Sequence, residues 1–316
     1  MKILITGGSG FVGQHLLSAL ASDNVDIRII SRKSGLEFRN KNIQPEVFLA
    51  DITDILALEK AFIGIDIVIN LAAELRNDAD FDKTNIQGVK YLVALTKKYN
   101  VKKFIQLSSV GVVGMQYSSK HFVVDETTVC DPKNGYEKSK LESERILFHA
   151  FSEEKGRLVM LRPTNIFGDH HPRNTLLNFL QTIKNQNRLI CTSNATVNYV
   201  YVNDLVSTIR HFIFNKADST VYNVGEASSF EKFFHESSRL IGTPPRLTIL
   251  PHFCFAIPEA FGYLGLHNLK AKLRTLSNRV VYSDKKLQKE VPGIYSYGNE
   301  KGLQCTIDYY QSNGKL

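Results

Sequence analysis

The run Thr6-Gly7-Gly8-Ser9-Gly10-Phe11-Val12-Gly13 constrains the fold of this chain more than any other stretch. It follows a short apolar segment, Lys2 to Thr6. It precedes Phe11 to Leu20, where Leu16, Leu17 and Leu20 recur at helical spacing. A glycine-rich turn between strand and helix lets the backbone approach a pyrophosphate and aims the helix amides at the anion. Two registers compete within it. Gly8, Gly10 and Gly13 spell G-x-G-x-x-G; Thr6, Gly7, Gly10 and Gly13 spell T-G-x-x-G-x-x-G. The loop alone does not choose between them.

The rest of the first half continues the alternation. DIRIIS, EVFLA, DIVINLAA, KKFIQLSS and RLVMLRP read as strands two to six, and Pro163 stops the last. Helical patterns run around Thr84 to Tyr99 and from Tyr136 to Phe151. The strand runs are nearly all apolar, which fits strands covered on both faces. The expected fold is α/β: a Rossmann-type, doubly wound parallel sheet with a smaller C-terminal α+β substrate region. The dinucleotide-binding domain is placed at residues 1–168, with 197–225 returning to it. Residues 169–196 and 226–316 form the substrate-binding region. No internal repeat is evident.

Composition excludes several classes. Apolar residues make up 43% and charged residues 22% of the 316 residues, ordinary values for a globular protein. The formal charge of +8 comes from lysine pairs such as Lys97-Lys98 and Lys285-Lys286, spread along the chain without interleaved aromatics. That pattern argues for a solvated surface attracting a small anion, not for nucleic acid. Cys130, Cys191, Cys254 and Cys305 lie far apart, so no metal spacing exists and free thiols of a cytoplasmic protein are expected. No leader or membrane partner is expected. The apolar stretch Phe253 to Leu266 contains Pro258 and Glu259, is too short to span a bilayer, and reads as a buried helix.

The second strand ends in Ser31, Arg32 and Lys33, where an acid would favour NAD by accepting from the ribose 2′-hydroxyl. Arg32 instead presents a planar fork suited to a 2′-phosphate, and Asp26 stands at the wrong end of the strand. NADP(H) is favoured, with NAD(H) possible. Tyr136 and Lys140 are four residues apart on one helix face. A lysine so placed can lower the tyrosine's pKa for proton exchange with a carbonyl oxygen. Ser108 and Ser109 end the fifth strand, on the side where open parallel sheets bind ligands.

Together these motifs resemble the extended short-chain dehydrogenase/reductases of the NAD(P)-dependent epimerase/dehydratase family. The resemblance extends through DITD at Asp51, NLAA at Asn70, NIQGVKYL at Asn85, LRPTNIFG at Leu161 and the closing GLQCTIDYY. It selects the T-G-x-x-G-x-x-G register. It implies that Gly7, Gly10 and Gly13 cradle the pyrophosphate, with Phe11 and Val12 opening the helix. Asp51 and Ile52 would flank the adenine, and Ala72 and Ala73 would line the nicotinamide-ribose path. Ser109, Tyr136 and Lys140 would be catalytic, Lys140 also reaching the ribose, and Pro163 would edge the nicotinamide pocket. A homodimer through the helices carrying Asn85 and Tyr136 is implied as well.

The chain departs from the family's nucleotide-sugar pattern in two respects. Val197 stands where many members carry an arginine, and no R-P-G stretch follows. Asn174, Arg173, Arg274 and the neighbouring His170 and His171 are the residues left to meet a substrate anion; Arg279 is a further candidate. Three functions follow: a 4-ketoreductase or 4-epimerase on a nucleotide sugar, a reductase of a lipophilic steroid- or flavonoid-like ketone, or an NADP(H)-sensing scaffold without turnover. The retained Ser109, Tyr136 and Lys140 argue against the last.

Overall fold

A computed structural model describes residues 1–115, 117–218, 220–251, 254 and 273–316. Its core is a seven-stranded sheet. In chain order the elements are β1 (Lys2–Thr6), α1 (Phe11–Leu20), β2 (Asp26–Ser31), β3 (Glu46–Leu49), α2 (Ile55–Ala61), β4 (Ile67–Asn70), α3 (Gly88–Lys98) and β5 (Lys103–Leu107). Then come β6 (Phe122–Val124), α4 (Gly135–Phe151), β7 (Leu158–Pro163), β8 (Asn165–Phe167), α5 (Thr175–Lys184), β9 (Leu189–Thr192), β10 (Thr196–Tyr201) and α6 (Val202–Phe214). The last are β11 (Val221–Val224), β12 (Glu226–Ser229), α7 (Phe230–Ile241), β13 (Leu247–Leu250), β14 (Val280–Tyr282), α8 (Lys285–Glu290) and α9 (Gly298–Ser312).

The sheet order is β11-β7-β5-β4-β1-β2-β3, and every pairing is parallel. It is doubly wound, as expected. The alternation of side chains explains why. Ile3 and Ile5 pack on one face with Leu16, Leu17 and Leu20 of α1 and Leu205 and Ile209 of α6. Leu4, between them, faces Leu92 of α3 and Leu147 of α4. Strands apolar at every position therefore need helices on both sides.

The C-terminal half adds three small sheets. β12-β10-β8 has three strands; β13-β9 and β14-β6 have two each. The strand read from VNYVYV is β10, and it lies in this three-stranded sheet; β11 and α6 are the pieces that join the main sheet's layers. The helix expected from Thr84 begins as a wide π-helical turn, Asp82–Gln87, and becomes α-helical only at Gly88. The stretch Phe253 to Leu266 lies outside the described residues, apart from the exposed Cys254. No helix among the described residues is long and apolar enough to cross a membrane.

Candidate active site

The C-terminal ends of the sheet strands open into a cleft of about 1490 Å³. β1 enters it through the glycine loop. Gly7 adopts φ +68°, a conformation that costs a side chain but not glycine. A Cβ on Gly13 would lie 2.4 Å from the Gly7 oxygen and 2.6 Å from that of Gly8. Helix and loop are thus packed as closely as backbones allow. Helix α1 starts at Phe11 after the N-cap Gly10, which has no side-chain cap, and Gly10, Phe11, Val12 and Gly13 all line the cleft. That arrangement fits a dinucleotide pyrophosphate.

At the end of β2, Arg32 lines the cleft with its side chain 75% exposed, 4.0 Å from Asp51. Burial pushes the Asp51 carboxyl up, but bonds from the Thr53 amide and hydroxyl and the charge of Arg32 hold it below the usual range. The loop beyond β2 is tied down by Gln14, which bonds Glu37 and Arg39, while Arg39 also pairs with Asp169. Arg39 donates to His15 at 2.6 Å, and burial keeps that imidazole neutral by lowering its pKa.

The centre of the cleft holds Ser109, Tyr136 and Lys140. Ser109 leaves β5 in extended conformation and caps a 3₁₀ turn, Val110–Val113, accepting from the Gly111 amide at 3.0 Å. That turn closes at Gly114 (φ +70°), where a Cβ would meet the Asp131 oxygen at 1.9 Å. Tyr136 sits in the first turn of α4, capped by Asn134, and its ring packs edge-on to Phe81. Burial pushes its hydroxyl up to about 12, opposed by Arg173 and by a hydrogen bond with Ser109, and aided by Glu137. Lys140 is buried and donates to the Leu107 carbonyl at 2.6 Å. Burial drops its pKa to about 8, and Glu144 partly offsets this.

The Tyr136 hydroxyl thus lies above its ordinary value, with the Arg173 charge opposing the effect of burial. The Lys140 ammonium, one turn on, is bonded to the β5 carbonyl of Leu107.

Gly7, Gly10, Phe11, Val12, Gly13, Arg32, Asp51, Ile52, Ala72, Ala73, Ser109, Tyr136, Lys140, Pro163 and Arg173 all line this one cleft. Asn174 and Arg274 do not. Asn174 precedes α5 and accepts the Asn178 amide through its main-chain oxygen, and its side chain makes no cap. Arg274 stacks on Tyr117, 5.2 Å from the ring centre. Val197 is buried in the apolar core, so no cation reaches the cleft from that position. Sequence reasoning assigned no functional role to Asn70, Asn85, Gln106 or Arg39. A polar residue inside an apolar run, as in FIQL or VINL, is the signal that marks the first and third.

Comparison with known proteins is consistent with this geometry. Residues 3–225 match the NAD dependent epimerase/dehydratase family. An N-acetyl-alpha-D-glucosaminyl-diphospho-ditrans,octacis-undecaprenol 4-epimerase of Escherichia coli O157:H7 is 30% identical over 81% of this chain and 79% of its own. A dTDP-D-glucose 4,6-dehydratase of Dictyostelium discoideum is 30% identical over 71% of this chain and 58% of its own, so the aligned part spans less than two thirds of that protein. The crystal structure of a Bacillus anthracis dTDP-glucose 4,6-dehydratase in complex with NAD superposes with a TM-score of 0.73 at 20% identity, covering 99% of this chain and 97% of that one.

Proposed function

The chain belongs to the NAD dependent epimerase/dehydratase family, and from that premise we propose that it exchanges hydride at C4 of a sugar carried on a diphosphate, as a nucleotide-sugar 4-ketoreductase or 4-epimerase. The observation that carries this reading is the meeting of Ser109, Tyr136 and Lys140 with the uncapped start of α1 in one cleft.

A bound nicotinamide dinucleotide supplies or accepts the hydride; the side chains bind, orient and move the proton. Ser109 holds the substrate oxygen through its hydroxyl. Tyr136 gives that oxygen a proton in reduction and takes one in oxidation. Its hydroxyl is protonated at neutral pH, so it stands ready as the acid. In the oxidative direction Arg173 and Ser109 are the groups that ease its ionisation. Lys140, fixed on the Leu107 carbonyl, keeps two further N–H groups for the cofactor ribose. Arg32 in place of an acid supports NADP(H), which suits a reductase that consumes its cofactor.

Both relatives named above act, by their names, on glycosyl diphosphates, and Arg173 is the expected contact for that group. A second reading, reduction of a lipophilic ketone, is favoured by the buried Val197.

Four experiments test the proposal. Thermal shift with UDP and dTDP should show stabilisation, and none with either would move the weight to the lipophilic ketone. Cofactor extracted from the purified protein separates the enzyme types: retained NAD would sink the NADPH-reductase reading and leave the epimerase. Tyr136→Phe should cut turnover about 10²–10⁴-fold. Arg32→Asp should weaken NADPH binding selectively, and an equal loss for NADH would refute the role given to Arg32.

A further inference from the structure

A row of buried polar side chains crosses the C-terminal ends of β1, β4 and β5. Thr6 Oγ1 donates to Asn70 Oδ1 at 2.5 Å, and Asn70 Nδ2 donates to Gln106 Oε1 at 2.8 Å. Gln106 Nε2 then donates to the Leu107 main-chain oxygen at 3.0 Å, the same oxygen that receives Lys140 Nζ at 2.6 Å. Thr6 and Asn70 are fully buried and Gln106 nearly so. Every donor points along the row toward Leu107. Burying two amides within the sheet is costly unless each bond is made, so the row stands or falls as a unit. An apolar side chain would serve the core at lower risk.

We propose that Gln106, oriented by Asn70, is a positioning residue for Lys140: it fixes the Leu107 carbonyl on which the ammonium is anchored. The inference rests on the role given to Lys140 above. The carbonyl oxygen has two lone pairs. Gln106 occupies one and sets the peptide plane, which leaves the other aimed at α4. Lysine is a compact charge on a flexible stem. Its aim within the cleft therefore comes from the acceptor and not from the side chain itself. Without the amide, the peptide plane is free to tilt and the ammonium turns toward the water of the cleft.

The test reads Lys140 directly, in the full chain without substrate. Acetic anhydride labelling of Lys140, followed by peptide mass spectrometry across neutral and alkaline pH, gives its titration midpoint. The wild-type midpoint is expected near 8. Gln106→Glu keeps the shape and the bond from Asn70, but replaces the donor to the Leu107 oxygen with a carboxylate oxygen and adds a negative charge next to the oxygen that Lys140 binds. Its midpoint should rise by about one unit or more. Gln106→Met removes the amide without adding charge, and its midpoint should also rise, by less, as Lys140 gains water. Asn70→Leu should reproduce the Gln106→Met shift, because it acts through Gln106. A purely structural role would lower melting temperatures and leave the midpoints alone. Unmoved midpoints in folded Gln106→Glu and Gln106→Met proteins overturn the proposal. Labelling needs no turnover, so failure of the sugar chemistry would leave this result standing.

Discussion

Asn85 Nδ2 lies 2.9 Å from the Ser139 hydroxyl, and this bond joins the π-helical turn before α3 to the first turns of α4. Asn85 also accepts from the Glu74 amide at 2.8 Å and donates to the Glu74 carbonyl at 3.1 Å. Ser139 passes its own proton to the Tyr136 carbonyl at 2.8 Å. The cleft wall at Glu74 and the turn bearing Tyr136 are thus held as one body.

Asn85→Leu should therefore cost more than a surface change. The substitution removes the acceptor of the Glu74 amide and the donor to the Glu74 carbonyl and to the Ser139 hydroxyl, which keeps only its bond to the Tyr136 carbonyl. The expected loss is about 1–3 kcal/mol for each group left unpaired. Urea denaturation measures it. Ser139→Ala should cost less, because it leaves only one Asn85 N–H without a partner while the Tyr136 carbonyl keeps its place in the α4 ladder.

Lys140→Met should stabilise the fold while abolishing turnover. Burial depresses the Lys140 pKa to about 8 from the ordinary 10.5. The folded chain thus binds fewer protons than the unfolded chain between those values, and stability rises with pH across that window. The penalty is fully present below about pH 8 and is gone above 10.5. At neutral pH the methionine protein should be more stable by about 3 kcal/mol. That advantage should shrink as pH climbs from 8 to 10.5, which a series of denaturation curves would show.

Gly13→Ala should open the glycine loop. The added Cβ would collide with two main-chain oxygens, at 2.4 and 2.6 Å, and main chain cannot rotate aside. Overpacking of this kind costs about 1–3 kcal/mol, and NADPH binding, followed by its fluorescence, should fall at least about tenfold. Gly35→Ala is the control. It has open space and only a left-handed backbone, φ +63°, to accommodate. Its expected cost is about 1–2 kcal/mol, with cofactor binding unchanged.

Arg39→Ala should free the loop after β2. Arg39 links that loop to Asp169 beyond β8 and to His15 of α1. Both Arg39 and Glu37 line the cleft, so the loop's mobility bears on cofactor release. Stopped-flow displacement of bound NADPH should show faster dissociation than in the wild type. An unchanged rate would confine Arg39 to a structural role.

Much of the site could be read before folding. The glycine loop, Ser109, and the Tyr136–Lys140 spacing are local patterns, and local patterns survive in a one-dimensional record. So do the strands, because Ile3, Leu4 and Ile5 in series demand cover on both faces. Less legible were groups whose partners are distant in sequence. Asn85 meets Ser139 across 54 positions, and Arg39 meets Asp169 across 130. No spacing rule connects such pairs. Arg274 shows the converse: it was chosen for its charge, and its surroundings direct it to Tyr117 instead of the cleft.

The sequence by itself determined the kind of protein this is. Hydrophobic periodicity and glycine placement specify a doubly wound parallel sheet, and crossover connections then bring every strand's C-terminal end to one edge. Only the tertiary structure decided how the charges act there. Burial raises Tyr136 and lowers Lys140, one carbonyl holds Lys140 at Leu107, and the Arg173 charge opposes the effect of burial on the tyrosine. The physical reason is that fold class follows from side-chain polarity, which the chain carries residue by residue. Electrostatics follows from distance and desolvation, which exist only once distant segments have met.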